Sequence, residues 1–595
     1  MDFKTEYQRW LLNVDDEDVA RELHNMSETQ IEDSFYRDLT FGTGGLRGII
    51  GAGTNRMNIY TVAKASQGLA NYLLKNCNTV SIVIGYDSRI KSDVFAQVAA
   101  GVFAANGIIV RMWPELLPVP MVSYAVRKLD AAAGVMITAS HNPSKYNGYK
   151  VYGSDGCQIT TEAVAEILAE IEKLDIFTDV KADWNMIANF NLKDDLEKNV
   201  VSSNRHRMNK CNNCIKFVDY LVYASFIEEI KKQSVLFGDT IDRNVAIVYS
   251  PLNGTGLKPV TQVLKETGFT NITVVAEQEK PDGNFPTCPY PNPEIPEAME
   301  LGLKYCEKVN ADLLLATDPD CDRCGIAVKR YSSACNIAQG EIRNGEIEKS
   351  RYQLLTGNEV GLLLLDFICS QRVKHEKMPA NPVFIKTIVT MDLAEKIAEH
   401  YGVQTVNVLT GFKFIGEVIG RLERAGRKPD FICGFEESYG YLTGSYVRDK
   451  DGVNAAFMIC EMFAYYKTRG VSLLDKLDEI YKTYGYCLNT LHSYEFEGAT
   501  GMTKMAIIMD EFRKGVKYFG GQKVLKTIDY KKGVDDLPPS DVLKFHTKDY
   551  NVVIRPSGTE PKLKVYLSIT AMDNIEASKL EKRIEQEIKE RMRRL

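Results

Sequence analysis

The feature that most constrains this fold is a short apolar run that recurs along the chain and stops abruptly at polar or glycine-rich residues. Such runs cover residues 80–85, 134–137 and 311–316, and their length is that of a buried strand. One helical pattern, at residues 61–76, precedes the first run, and another, at residues 92–105, lies between the first two runs. Strands that alternate with helices predict doubly wound α/β layers.

The chain is too long for one hydrophobic core. It has 595 residues, and a domain usually holds about 100–200 residues, so we expect roughly three to five domains. We predict three successive similar α/β domains with mixed sheets, followed by a smaller C-terminal α+β domain, around a central cleft. The expected divisions are an N-terminal helical arm at 1–37 and domains at 38–205, 206–330, 331–475 and 476–595.

The composition excludes several classes of protein. Hydrophobic residues make up 45% of the chain and the net charge is -6, so no broad positive field for nucleic acid is expected. No apolar run reaches the ~18–20 residues of a membrane helix, and the acidic N-terminus is not a secretory signal. The thirteen cysteines are scattered, which favours a reducing, cytoplasmic setting. The sequence leaves monomer and dimer open.

The loop that follows residues 134–137 carries the best candidate for a nucleophile. Ser140 lies between this predicted strand and the Asn142-Pro143 turn, at a strand end where open α/β sheets keep their active sites. His141 and Lys150 can carry positive charge beside it. The alternative is an ordinary turn, since serine, histidine, asparagine and proline are common loop residues.

Three aspartates at alternate positions follow another apolar run. On an extended backbone Asp318, Asp320 and Asp322 would project to the same side. Three packed carboxylates repel each other without a cation, and hard oxygen ligands with open positions favour Mg²⁺. The sequence therefore predicts a magnesium site, with a solvated acidic turn as the alternative.

Basic side chains recur near other loops. Arg47 lies in the glycine-rich segment 41–48, where backbone amides can approach an anion. Asp87 and Arg89 directly follow a predicted strand, where they either hold the loop or take part in catalysis. Lys386 and Lys413 each follow a predicted strand end and are candidates for ligand contact.

A loop near the C-terminus has the composition of a phosphate site. Arg555 offers a two-pronged donor, and Ser557, Gly558 and Thr559 supply hydroxyls and free amides in a tight turn. The alternative is a plain turn. Elsewhere, Cys211 and Cys214 form a Cys-x-x-Cys pair, which is weak support for zinc without a second pair nearby.

These motifs together resemble the α-D-phosphohexomutases, the phosphoglucomutase and phosphomannomutase family. The resemblance rests on Thr138-Ala-Ser-His-Asn-Pro143, the Asp318 to Arg323 loop, Gly434-Phe-Glu-Glu-Ser438 and Arg555-Pro-Ser-Gly-Thr559. It covers roughly residues 38–180 and 215–595, with the motifs in the family's order. The segment at about 190–214 resembles an insertion.

The resemblance implies a role for each group of residues. Ser140 would be phosphorylated and would bind Mg²⁺ with the three aspartates, and Arg323 would contact the phosphoserine or a carboxylate. Glu436 and Ser438 would bind the hexose ring, and Arg555, Ser557, Gly558, Thr559 and Lys562 would bind the phosphate that does not react. The other implied substrate contacts are Lys386, Lys413, Arg448 and Lys450.

The implied reaction moves a phosphoryl group between carbon 1 and carbon 6 of a hexose phosphate. Glucose 1-phosphate and glucose 6-phosphate would interconvert through glucose 1,6-bisphosphate, which also serves as activator and phosphoryl donor. Lys150, Arg47 or His141 would handle the proton. Tyr439 and Gly440 follow Ser438 where phosphomannomutase-type relatives often carry a histidine, which favours glucose.

Several alternative activities use the same parts. They are a mutase for pentose or mannose phosphates, a synthase that releases the sugar bisphosphate, a phosphatase that transfers the phosphoryl group to water, and a catalytically silent sugar-phosphate sensor. Substrate rates and phosphate release distinguish them.

Overall fold

A computed structural model describes most of the chain. The described residues are 2–42, 44–77, 80–159, 161–182, 184, 214–330, 342–343, 346–347, 351–496, 498–534, 536–557 and 562–594. Cys211, nearly all of the 190–214 segment, Gly558 and Thr559 lie outside them. No helix within the described residues is long and apolar enough to cross a membrane.

The N-terminal arm is helical, as predicted, and each of its helices begins at a capping side chain. Ser27, for example, forms a capping box with Gln30. Trp10 is fully buried and packs edge-on against Phe35 of the arm and Phe177 of the body. The helices are Phe3–Asn13, Glu17–His24 and Glu28–Phe35.

The first sheet has six strands in the order β1-β5-β4-β2-β3-β6. Its centre is parallel, while β5 is antiparallel to both β1 and β4. The strands are β1 Leu46–Ile49, β2 Ser81–Tyr86, β3 Ile109–Met112, β4 Ala133–Ile137, β5 Tyr146–Gly153 and β6 Ile215–Phe217. The helices are Ile59–Asn76, Ser92–Ala105, Val119–Lys128 and Thr161–Glu172.

The second sheet has five strands in the order β13-β10-β9-β7-β8, and every residue of its central strand β9 is buried. The strands are β7 Ile247–Ser250, β8 Ile272–Val274, β9 Leu313–Thr317, β10 Cys324–Lys329 and β13 Tyr352–Leu355; a separate ribbon pairs β11 Ile342–Arg343 with β12 Glu346–Ile347. The helices are Tyr220–Lys231, Leu257–Glu266, Ala276–Glu279 and Pro296–Val309.

The third sheet has four strands in the order β15-β14-β16-β17, with only β17 antiparallel to its neighbour. The strands are β14 Val383–Thr387, β15 Gln404–Val408, β16 Phe431–Glu436 and β17 Gly440–Leu442. The helices are Gly357–Lys374, Leu393–His400, Phe412–Arg424, Gly452–Thr468 and Leu473–Tyr484, with a 3-10 turn at Lys428–Asp430.

The last sheet has five strands in the order β18-β24-β23-β22-β21, all antiparallel, over a core of its own. The strands are β18 Tyr486–Glu495, β21 Lys526–Asp529, β22 Leu543–His546, β23 Tyr550–Pro556 and β24 Lys562–Ala571; β19 Tyr518–Phe519 and β20 Gln522–Lys523 form a short hairpin. The helices are Gly498–Arg513 and Asn574–Arg593, with a 3-10 turn at Tyr530–Lys532.

These sheets confirm the predicted class, three mixed α/β sheets followed by a smaller α+β unit. The strand pairing nevertheless crosses two of the expected divisions. β6 begins at Ile215 but completes the first sheet, and β13 begins at Tyr352 but is the edge strand of the second. Backbone pairing brings in these strands across long connections, which no local composition signals. The domain division itself stays a prediction.

Attachment of the arm can be tested at Trp10. We expect Trp10→Ala to destabilise the arm by about 3–5 kcal/mol, because a large buried side chain leaves a cavity. Leu12→Ala is the matched control, since Leu12 is 85% exposed on the same helix. Limited proteolysis should cut the arm faster in Trp10→Ala only. Equal cleavage of the two variants would contradict this packing.

Candidate active site

Ser140 lies on a strained turn directly after β4. Its φ of 52° is in the left-handed region, where a residue with a side chain is strained. The Thr138 hydroxyl accepts a hydrogen bond from the Ser140 backbone N–H at 2.8 Å. The Ser140 hydroxyl donates to Asp318 Oδ2 at 2.8 Å and is thereby aimed at the aspartate loop.

Arg89 holds the backbone of this turn. Its guanidinium donates to the carbonyls of Ser140 at 3.2 Å, Pro143 at 3.0 Å and Tyr146 at 3.1 Å. The side chain is completely buried beside Asp87, with 3.6 Å between Arg89 Nε and Asp87 Oδ2. Of the two roles that the sequence left open for this pair, the contacts favour holding the loop.

The three predicted aspartates converge, but not for the predicted reason. β9 ends at Thr317, and Asp318 to Asp322 form a tight loop in which Cys321 has a φ of 52°. The argument from an extended backbone is therefore wrong. The loop is closed by the Asp322 N–H, which donates to Asp318 Oδ1 at 3.1 Å. One carboxylate oxygen from each aspartate lies within 4.8 Å of the others.

The backbone of the aspartate loop is held by units on both sides. The Asp320 carbonyl accepts a hydrogen bond from Val119 N of the first unit at 2.9 Å. The Cys321 carbonyl accepts one from Gly452 N of the third unit at 3.0 Å. Thr138 also donates to Asp320 Oδ2 at 3.2 Å. The loop geometry thus depends on three units being assembled.

Two lysines from different units face the buried carboxylates. Lys150 Nζ lies 2.9 Å from Asp320 Oδ2 and 3.4 Å from Asp322 Oδ2, and Lys450 Nζ lies 3.1 Å from Asp322 Oδ2. Burial raises the pKa of Asp318 well above its usual value, and neighbouring carboxylates raise it further. Burial acts in the same direction on Asp320, but the charge and hydrogen bond of Lys150, the hydrogen bond with Asp318 and the charge of Lys450 together outweigh it and lower the pKa of that carboxyl.

The donor set fits a divalent cation. Asp320 Oδ1 and Asp322 Oδ1 are buried and accept no hydrogen bond from any described residue. Buried carboxylate oxygens without donors are costly, and hard oxygen ligands are those that Mg²⁺ prefers. These residues could therefore hold a metal ion next to Ser140.

The candidates for proton handling surround Ser140. His141 Nδ1 lies 3.1 Å from Ser140 Oγ, and Arg47, on β1, donates to Asn142 Oδ1 at 3.4 Å. Burial, and then the nearby guanidinium groups, lower the pKa of His141 well below its usual value. The expected positive charge on His141 is thus disfavoured, because its neighbours are already cationic.

Arg323 directly follows the aspartate loop, and its side chain lies near two of the three carboxylates. Its Nε lies 3.9 Å from Asp318 Oδ2 and 3.8 Å from Asp322 Oδ1, and its Nη1 forms an ion pair with Glu294. Burial lowers the pKa of Arg323 to about 10, with the Glu436 carboxylate opposing that effect.

Glu436 and Ser438 lie at the end of β16 and in the turn after it. Glu436 Oε1 accepts a hydrogen bond from Gly411 N at 2.9 Å. Burial raises the pKa of Glu436 to about 7, against the opposing charge of Lys450. Glu436 thus lies near Arg323 and Lys450, at the carboxyl end of the third sheet.

Two of the predicted substrate contacts are engaged elsewhere in the fold. Lys386 lies inside β14 and not after it, and its buried Nζ contacts Asp392 Oδ1 at 2.9 Å and Glu395 Oε1 at 3.0 Å. The buried Arg448 forms an ion pair with Glu423. The structure brings neither side chain to the aspartate loop. Lys413 lies in the first turn of helix Phe412–Arg424.

The described part of the predicted phosphate loop belongs to the last sheet. Arg555 is half-buried on β23, the Ser557 N–H donates to the Lys562 carbonyl at 2.7 Å, and Lys562 Nζ lies 3.0 Å from Glu495 Oε1. Burial raises the pKa of Tyr566. The charges of Glu437 and Glu436 raise this pKa further, and the charge of Arg555 lowers it. Tyr566 therefore lies near Arg555 and near the carboxylates of the third unit.

Sequence reasoning missed several residues of this site. Asp449 accepts hydrogen bonds from Tyr152 at 2.8 Å and from Gln158 at 2.9 Å, which seats the Lys450 loop against β5. Glu437 accepts from Thr387 and Thr390. Asp449 lies between Arg448 and Lys450, which the sequence analysis did name, so its position in the sequence could have identified it. No spacing pointed to Glu294.

Comparison with known proteins gives a consistent result. Four family models match in order, described as phosphoglucomutase/phosphomannomutase alpha/beta/alpha domains I, II and III and the C-terminal domain, at residues 38–176, 224–332, 356–484 and 504–585. A Staphylococcus haemolyticus protein named phosphoglucomutase is 33% identical over 95% of this chain and 96% of its own length. One from Staphylococcus aureus strain MRSA252 is 34% identical over 95% of both chains.

Solved structures share the fold. A putative phosphomannomutase from Thermus thermophilus superposes with a TM-score of 0.64 at 19% identity, over 93% of this chain and 99% of that one. The open form of the phosphoglucomutase pp63/parafusin from Paramecium gives a TM-score of 0.65 at 18% identity, over 94% and 95%.

The raised pKa of Glu436 has a consequence for stability. The folded-state value of about 7 exceeds the ordinary 4.5, so the folded protein keeps a proton that the unfolded chain has lost. Stability therefore falls as pH rises through this window, by up to about 3 kcal/mol above pH 7. Lys450 and Arg323 reduce this cost and Glu437 adds to it.

We expect Glu436→Gln to raise the thermal midpoint by a few degrees at about pH 8 and to leave it nearly unchanged at about pH 5. Glu417→Gln, an exposed position on the neighbouring helix, is the matched control. An equal shift of the midpoint at both pH values would contradict a raised pKa.

Proposed function

We propose that this chain, which belongs to the phosphoglucomutase/phosphomannomutase family, interconverts glucose 1-phosphate and glucose 6-phosphate through a phosphoserine at Ser140. The family makes it a phosphohexomutase, an enzyme of the isomerase class. The observation that carries the proposal is the orientation of the Ser140 side chain. Its hydroxyl donates a hydrogen bond at 2.8 Å to Asp318, one of three carboxylates that lie close together.

Glucose is favoured as the sugar on two grounds. The relatives that match along nearly the whole chain are named phosphoglucomutase, at 33–34% identity. Tyr439 and Gly440 follow Ser438 in the turn after β16, with no histidine there. Glucose 1,6-bisphosphate is then the intermediate, and added bisphosphate would act as activator and phosphoryl donor.

In this proposal Mg²⁺ is held by Asp318, Asp320 and Asp322 together with the group on Ser140. When bound, it neutralises charge on the transferring phosphoryl group. Lys150 and Lys450 compensate the charge of Asp320 and Asp322 through contacts to their Oδ2 atoms, which leaves the Oδ1 atoms for the cation. Arg323 supplies a further positive charge next to the reacting phosphoryl group.

The remaining groups bind the substrate and move the proton. Glu436 and Ser438 would accept and donate hydrogen bonds to the sugar hydroxyls. Arg555, Ser557 and Lys562, with Gly558 and Thr559, would hold the phosphate that does not react. His141 is favoured over Lys150 and Arg47 for the proton, because its Nδ1 lies 3.1 Å from Ser140 Oγ.

A coupled assay with glucose 1-phosphate, Mg²⁺ and a trace of glucose 1,6-bisphosphate tests the proposal. We expect the parent to form glucose 6-phosphate. The rate of Ser140→Ala should be lower by about 1,000-fold or more, because this variant lacks the nucleophile. Ser154→Ala, on an exposed turn, is the matched control.

Full activity of Ser140→Ala would overturn the role of this serine. Faster turnover of mannose or pentose phosphates would transfer the proposal to those sugars. Accumulation of free sugar bisphosphate would instead identify a synthase, and steady release of inorganic phosphate a phosphatase.

The metal site is tested separately. We expect a chelator to abolish turnover and added Mg²⁺ to restore it. Asp320→Asn should weaken Mg²⁺ activation by more than about 100-fold, because even the loss of an outer-shell partner costs 10–100-fold in metal affinity. Asp536→Asn, which is 92% exposed, is the control. Unchanged activation in Asp320→Asn would contradict the site.

A further inference from the structure

Arg323 has an incomplete set of partners in the aspartate loop. Its side chain is only 13% exposed, and its Nε lies 3.9 Å from Asp318 Oδ2 and 3.8 Å from Asp322 Oδ1. Both separations exceed a hydrogen bond, and the buried Nε donates to no described residue. The neighbouring carboxylates therefore attract the guanidinium without fixing its orientation.

A residue from a distant segment accepts the one hydrogen bond from the Arg323 guanidinium that the structure describes. Glu294 Oε1 accepts a hydrogen bond from Arg323 Nη1 across 29 positions of sequence. Glu294 is partly exposed, at 28% of its side chain, so the ion pair lies at the wall of the site. An arginine bound at one end of its fork keeps its remaining N–H groups free in a defined direction.

The loop that carries Glu294 is seated firmly on the strand after Arg323. A Cβ on Gly325 of β10 would lie 2.8 Å from Pro293 Cβ and 3.0 Å from the Pro293 carbonyl oxygen, so only glycine admits this approach. Asn292 closes the turn: its side chain accepts from Glu294 N at 3.2 Å and its carbonyl accepts from Ile295 N. The backbone of Glu294 is thus fixed relative to Arg323.

We infer that Glu294 is a positioning residue that holds the Arg323 guanidinium away from the metal-binding carboxylates and directs it toward the transferring phosphoryl group. This inference rests on the proposed function. Without Glu294, the nearest anions to the guanidinium are Asp318 and Asp322. Arg323 would move onto their oxygens and compete with Mg²⁺ for them.

The inference predicts a specific kinetic pattern. Glu294→Ala should lower kcat by about 10–100-fold, because Arg323 no longer meets the charge that develops during transfer. The KM for the sugar phosphate should change by less than about 3-fold, since the predicted sugar and phosphate contacts lie on other units. The Mg²⁺ concentration for half-activation should rise by about 10-fold. Glu294→Asp should recover part of the loss.

A double-mutant cycle with Arg323→Ala isolates the contact. If Glu294 acts through Arg323, Glu294→Ala should have no further effect on kcat once Arg323 is alanine. Glu297→Ala, an exposed carboxylate three residues along the chain, is the matched control, and the thermal midpoint of each variant checks its folding. Equal losses from Glu294→Ala in the parent and in Arg323→Ala would overturn the inference.

Calorimetric titration with Mg²⁺ gives a measurement that needs no turnover. Weaker binding in Glu294→Ala, and unchanged binding in Glu297→Ala, are expected. A parent that turns over no sugar phosphate would overturn the proposed function, and this titration would still decide the role of Glu294. Unchanged Mg²⁺ affinity together with an unchanged kcat in Glu294→Ala would overturn the inference alone.

Discussion

The structure depends on the burial of three carboxylates within 4.8 Å of one another. Such a group is strongly unfavourable unless cations compensate it. The compensation comes from separate units: Lys150 from the first sheet and Lys450 from the loop that leads into helix Gly452–Thr468. The units assembled around the aspartate loop therefore stabilise it, because both lysines reach it from other parts of the fold.

The same assembly shapes the turn that carries Ser140. The backbone of Ser140 is in the left-handed region, which costs free energy, so this conformation persists only because the surrounding structure holds it. Arg89 imposes it through the loop carbonyls, and Thr138 bonds both to Ser140 N and to Asp320. The strained turn and the aspartate loop are thus coupled through one threonine side chain, so a shift in either loop changes the distance over which a phosphoryl group would pass.

Some charged residues that the sequence predicted as substrate contacts take part in ion-pair clusters that join the units. Glu423 receives Arg127 from the first unit and Arg448 from the third. At the joint with the last unit, Asp392 receives Lys386 from β14 and Lys544 from β22. These pairs are largely buried, where removal of one partner leaves an uncompensated charge. They stabilise the packing of these segments against one another.

The sequence by itself determined the α/β class and the strand ends after which Ser140 and the three aspartates lie. Those conclusions depend on apolar periodicity and on residue types that are neighbours in the chain, which local sequence records directly. Tertiary structure decided the rest. The turn at Cys321, not strand alternation, gathers the carboxylates, and ion pairs hold Lys386 at Asp392 and Arg448 at Glu423, apart from the aspartate loop. Glu294 joins Arg323 across 29 positions of sequence within the second unit, because a contact between distant positions forms only when the chain has folded.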